Sequence, residues 1–164
     1  MEKNIIVTSG KRYIDIDAYA SCIAYAKLLR LKGKNAKAIS TANLNESITN
    51  SLIQLPEKLE KNYNLYGNEK FIILDVSNPN SFDEIVKDDQ IIEIVDHHCG
   101  YEDYWKEKLK NNLHIEQIGS IATLIFEKYE KENMTHNISI GMAKLLLAAI
   151  LDNTLDLKAK ITTK

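Results

Sequence analysis

Phe71-Ile72-Ile73-Leu74-Asp75 and Ile91-Ile92-Glu93-Ile94-Val95-Asp96-His97-His98 are the two stretches that decide the architecture. Each is a short apolar run that ends abruptly in polar chemistry. Runs of this kind belong to strands covered on both faces, the habit of parallel sheets flanked by helices. One strand therefore delivers Asp75 at its carboxyl end, and the other delivers Asp96, His97 and His98.

Outward from these runs, short apolar segments alternate with longer helical ones along the chain, the order expected of βαβ units building a parallel sheet. Ile5–Val7 reads as a first strand, followed by a loop with Ser9, Gly10, Lys11 and Arg12. A helix over about Ala18 to Lys32 ends at Gly33, with Asp17 as a natural N-cap. Ala36–Ile39 reads as a second strand, and a short helix follows that Pro56 closes from beyond. Ser81 and Glu84 have the spacing of a capping box and predict a further short helix. Leu113–Ile118 reads as a last strand, Ser120 as the cap of a helix reaching about Glu132, and Ile140 to Leu151 as a strongly apolar helix.

At 164 residues, with 45% hydrophobic and 27% charged residues, six Gly and two Pro, the composition is that of one globular domain and excludes disorder and collagen. The 21 basic and 23 acidic residues leave a net charge of −2, so nothing draws the whole chain to nucleic acid beyond short oligonucleotides. Met1 to Val7 lacks the features of a signal peptide, and no stretch approaches the roughly 18 apolar residues of a membrane span. Two cysteines without finger spacing, Cys22 and Cys99, favour a reducing, cytoplasmic setting.

In open α/β sheets, ligands sit outside the carboxyl ends of the strands. Asp15, Asp17, Asp75, Asp96, His97 and His98 are thereby expected to converge in one crevice. Carboxylates and imidazoles gathered without bases repel one another unless a cation holds them, and this O/N donor set suits Mn²⁺, Mg²⁺ or Co²⁺.

Val95-Asp96-His97-His98 at a strand end, Tyr13-Ile14-Asp15-Ile16-Asp17-Ala18 after the first strand and Ile23-Ala24-Tyr25-Ala26 on the next helix resemble the DHH phosphoesterase superfamily. The nearest likeness is to the first domain of its manganese-dependent inorganic pyrophosphatases and related exopolyphosphatases. Asp75, Gly119-Ser120 and Ala149-Ile150-Leu151-Asp152-Asn153-Thr154-Leu155 fall in the family's order, so the resemblance covers nearly the whole chain. It implies an α/β domain with a mostly parallel five-stranded sheet sandwiched by helices. It also implies two divalent ions about 3.5–4 Å apart that clamp a phosphate for in-line attack by water. Asp15 would serve the first ion, Asp17 and His97 the second, and Asp75 both. His98 would face the substrate phosphate, and Asp96 would orient the imidazoles.

Three departures modify that expectation. Where the family carries a ligating histidine, this chain has Lys11, which cannot ligate but can contact a phosphate oxygen as a point charge. Where the family carries a last ligating Asp, it has Asn153, which offers only an amide oxygen. With less negative charge to balance two divalent ions, one ion is expected rather than two. The family's second, substrate-closing domain is missing from 1–164, which reads as a single domain.

The expected function is a metal-dependent phosphohydrolase acting on pyrophosphate, short polyphosphate or a small phosphoester. The alternative is a degenerate relative that binds phosphate compounds or a partner without turnover. Among the remaining residues, Cys22 is expected in the core, Cys99 partly buried near the crevice, and His114 and His136 on the surface. Trp105 with Tyr101 and Tyr104 is expected to form a packing patch or a homodimer surface.

Overall fold

A computed structural model describes residues 4–162. Met1–Lys3 and Thr163–Lys164, the ends of the expected 1–164 domain, lie outside the described residues. Five parallel strands, β1 (Ile5–Thr8), β2 (Ala36–Ala38), β3 (Lys70–Leu74), β4 (Ile91–Asp96) and β5 (Leu113–Ile115), form one sheet in the order β2-β1-β3-β4-β5. The expected mostly parallel sheet is thus parallel throughout.

Because successive strand residues point to opposite faces, each apolar run feeds two layers. Val7, Ile72, Leu74 and Val95 join the core beneath α1 (Ile16–Leu31), α4 (Ile121–Lys131) and α5 (Ile140–Asn153). Ile6, Phe71, Ile73 and Ile94 join a second layer closed by Phe82 and by Trp105 and Leu109 of α3 (Glu102–Leu109). A one-turn helix, α2 (Asn50–Ile53), precedes Pro56 as expected. None of the described helices is long and apolar enough to cross a membrane.

Three local expectations are corrected. The first helix starts at Ile16, and its N-cap is Asp15, whose Oδ1 accepts from the Ala18 amide at 3.0 Å. Asp17 instead lies fully buried in the first turn. Ser81 starts no helix. A single 3₁₀ turn, Pro79–Ser81, is capped by Asn78, and no helix follows because Phe82 bridges Gly10 and Asp83 is bound to the loop after β2, the chain turning at 83–86. There the buried Asp83 carboxylate accepts from Ser40 Oγ at 2.9 Å, Thr41 N at 2.7 Å and Thr41 Oγ1 at 2.8 Å.

The packing alternative for the aromatic segment holds: α3 brings Trp105 into the core, Tyr101 packs against the same layer from the helix start, and Tyr104 stays exposed. The last strand is also short, ending at Ile115, because the chain leaves the sheet to bring Ile118 beside His97. Cys22 is buried and Cys99 exposed, and both thiols are free.

Candidate metal centre

The strand ends meet as the topology requires, and the turns after β3 and β4 carry the central groups. Asp75, the first residue past β3, has φ of +62°. Aspartate tolerates this left-handed conformation better than most side chains do. Its amide donates to the Val95 carbonyl at 2.9 Å, which ties the turn to β4. Asp75, His97 and His98 are the one group of three or more potential ligands among the described residues whose donor atoms all fall within 4.8 Å of one another.

His97 is held by a single backbone contact with a large chemical consequence. Its Nδ1 lies 2.8 Å from the Ile118 carbonyl, which can only accept, so Nδ1 carries the proton. In the neutral ring Nε2 is then a bare lone pair, and it stands 3.2 Å from Asp75 Oδ1. That oxygen is buried and, this ring apart, has no hydrogen-bond partner among the described residues. Two acceptors face each other across this gap, an arrangement that calls for a cation. Metal-bound histidines commonly have their second nitrogen held by a carbonyl or carboxylate in this way. The residues present therefore fit a divalent ion with oxygen and nitrogen ligands.

The electrostatics agree. Burial, reinforced by the neighbouring Asp17 and Asp15 charges, pushes the Asp75 carboxyl up to about 7 despite His97 beside it. Burial disfavours a charged His97, yet the Asp75 carboxylate and the Ile118 carbonyl outweigh it and hold the ring up at about 9. Without a metal, a proton on His97 takes the cation's place.

His98 is the exposed member of the pair. Its Nδ1 is 2.8 Å from Asp96 Oδ1, which also accepts the backbone amides of His97 and His98 at 2.8 and 3.1 Å. Burial would raise the Asp96 carboxyl, but these donors hold it below the usual range, and the hydrogen bond to Asp96 holds His98 above its own. Asp96 thus orients His98 and the backbone of both histidines, while the His97 ring is oriented by Ile118. The sequence had carried no signal for that carbonyl.

Asp17 and Asn153, expected as ligands, are placed together, next to this group but not within it. Asp17 Oδ1 accepts from Ser120 Oγ at 2.8 Å and Ala122 N at 2.9 Å, and Oδ2 accepts from Ile121 N at 3.0 Å and Asn153 Nδ2 at 2.5 Å. The carboxylate closes the N-terminus of α4, where exposed amides favour an anion. Burial still raises its pKa to about 6. A carboxylate has about four lone-pair positions, and here each meets a donor.

Beside Asp75 and His98 opens a cleft of about 220 Å³ lined by Ser9, Gly10, Arg12, Tyr13, Asp15 and Ser81 among others. Lys11, expected at the phosphate, is exposed and does not line it. The Lys11 amide is bound to the Ser81 carbonyl at 2.9 Å, and Arg12 supplies the cation on the cleft instead.

Comparison with known proteins shows what the chain as a whole is similar to. Over 99% of its length the chain is 26% identical to a Lactobacillus delbrueckii protein assigned as a manganese-dependent inorganic pyrophosphatase. It is 27% identical, again over 99% of its length, to the manganese-dependent inorganic pyrophosphatase of Bacillus subtilis. The chain spans about half the length of these relatives, 51% and 52%. In fold it resembles a Methanococcus jannaschii protein assigned as a family II inorganic pyrophosphatase, with a TM-score of 0.75 at 22% identity over 98% of this chain and 52% of that one. An exopolyphosphatase-related protein from Bacteroides fragilis gives 0.71 at 19% identity over 99% of this chain and 49% of that one. Residues 4–150 match the N-terminal domain of the DHH family, and the chain belongs to that family.

Proposed function

We propose that this chain is the metal-binding domain of a manganese-dependent hydrolase of phosphoric anhydrides, with pyrophosphate or a short polyphosphate as substrate. The observation that carries the reading is the buried, unpartnered Asp75 Oδ1 set 3.2 Å from a His97 Nε2 whose tautomer is dictated by Ile118. The names of the relatives, manganese-dependent inorganic pyrophosphatases, support the choice of metal and substrate. An intact Asp75 and His97 pair supports turnover over a remnant that only binds phosphate.

Asp75 and His97 hold the ion, which when bound supplies charge stabilisation at the phosphate and lowers the pKa of attacking water. One ion suffices, because Asp17 is fully occupied by donors from α4 and Asn153. His98, whose hydrogen bond to Asp96 at Nδ1 favours the charged ring, presents Nε2 as a donor to a phosphate oxygen. Arg12 meets the same anion from the cleft wall, in the role the sequence had suggested for Lys11. Asp15 closes the cleft floor at the N-cap of α1. The two free thiols accord with a reducing, cytoplasmic setting.

Phosphate release from pyrophosphate and tripolyphosphate, titrated with Mn²⁺, tests the proposal. Turnover that rises with Mn²⁺ and disappears in Asp75→Asn supports it. Absence of turnover at saturating Mn²⁺, or full activity in Asp75→Asn, overturns it.

A further inference from the structure

The ligand-bearing turns after β3 and β4 lie outside regular structure, and something must hold them in register. Besides the Asp75 amide bound to the Val95 carbonyl, Ser77 links them. This residue is 2% exposed, and its Oγ donates to the His98 carbonyl at 3.3 Å. Its own carbonyl points into the apolar layer beneath the sheet, where a buried acceptor needs a donor. The donor is the indole of Trp105, whose Nε1 lies 2.7 Å away.

Trp105 is fully buried on α3 and is the sole tryptophan of the chain. Its ring also packs on Phe82, with centroids 5.7 Å apart, and Phe82 in turn bridges Gly10. Gly10 and Ser81 line the cleft beside Asp75. One side chain thus braces both the turn that carries Asp75 and the wall across the cleft from it. Tyr104 and Lys108 cover the indole from outside, with the Tyr104 ring edge-on at 4.8 Å and the Lys108 ammonium 5.0 Å from the ring centroid.

We propose that Trp105 is a positioning residue of the metal centre: through the Ser77 carbonyl it holds the Asp75 turn, and through Ser77 Oγ the His97–His98 turn, in metal-binding geometry. The inference rests on the reading of Asp75 and His97 as ligands. Groups that orient ligands from behind commonly change metal affinity by about 10–100-fold when removed. Packing alone predicts a loss of stability without a matching loss of affinity.

The test compares Trp105→Phe with Leu109→Ala, which lies in the same apolar layer of α3, reading Mn²⁺ affinity by calorimetry and stability by urea midpoint. The expected result is about tenfold weaker Mn²⁺ binding in Trp105→Phe, with Leu109→Ala destabilised yet within about twofold of the parent in affinity. Because there is one tryptophan, its replacement throughout by the benzothienyl isostere deletes the N–H while keeping the ring. That protein is expected to fold and to show the same weakening. Parent-like affinity in the isostere protein, or equal affinity losses in Trp105→Phe and Leu109→Ala, overturns the inference. Asp75→Asn run alongside separates the two readings: if it keeps Mn²⁺ affinity, the metal centre itself falls, whereas if it loses affinity and the isostere does not, only the role of Trp105 falls.

Discussion

His97 Nε2 stands 3.2 Å from Asp75 Oδ1 while the other nitrogen of the ring is committed to the Ile118 carbonyl. On the function proposed above, the pair is oriented for its cation before one arrives. His97→Ala and Asp75→Asn are each expected to weaken Mn²⁺ binding by at least about tenfold, measured by calorimetry, while circular dichroism shows the fold retained.

Protonation should compete with the metal. Asp17, Asp75 and His97 sit at about 6, about 7 and about 9, all above their ordinary values. With these values raised, the folded metal-free chain holds more protons than the unfolded chain, so stability falls as pH rises through that window. The His97 contribution is fully present below the ordinary histidine value and is lost through about 9. Thermal unfolding in chelator is expected at a lower temperature at alkaline than at mildly acid pH. Added Mn²⁺ should narrow the difference, with affinity rising with pH because binding displaces protons.

A carbonyl can hold His97 only if it stays in place. Gly119 follows Ile118, and a Cβ built on it would stand 2.6 Å from Thr154 Cγ2 and 3.4 Å from the Ile161 carbonyl. Gly119→Ala must displace the buried Thr154 side chain or the backbone that carries Gly119. It is expected to cost about 1–3 kcal/mol of stability and to lower Mn²⁺ affinity as well, read by urea denaturation and calorimetry on the same preparation.

Asn153 donates to Asp17 Oδ2 at 2.5 Å, so Asn153→Asp would set two carboxylates against each other at the foot of α4. In chelator the variant is expected to lose about 2 kcal/mol of stability. Added Mn²⁺ should restore more stability than it confers on the parent, and the calorimetric stoichiometry should rise from one ion towards two. An unchanged stoichiometry of one would show that the ion count is not set at this position.

Most of the frame was legible because it rests on local pattern. The runs at 71–74 and 91–95 read as buried strands and are strands, the first buried more fully than the second, and Ser120, a cap at the sequence level, does accept from the Ala122 amide at 3.2 Å. Asp75, His97 and His98 were legible as neighbours because parallel topology sends successive strand ends to one edge. The capping box at Ser81 misled because a bridge to Gly10 and the tie between Asp83 and the loop after β2 outweigh a few tenths to about 1 kcal/mol of local capping preference. The aromatic segment was legible as packing, but which ring goes inward was not, because that depends on how α3 turns against the sheet.

By itself, the sequence determined the parallel α/β frame, the edge where chemistry gathers and the residue types assembled there, since these follow from periodicity and from which side chains end each strand. Only the tertiary structure decided which of those carboxylates is free for a cation. Asp17 and Asp75 are equally acidic on paper, but one closes the start of α4 and the other faces His97 with a bare oxygen. The difference lies in donors contributed by residues distant in the chain, whose approach is set by packing and not by any local preference.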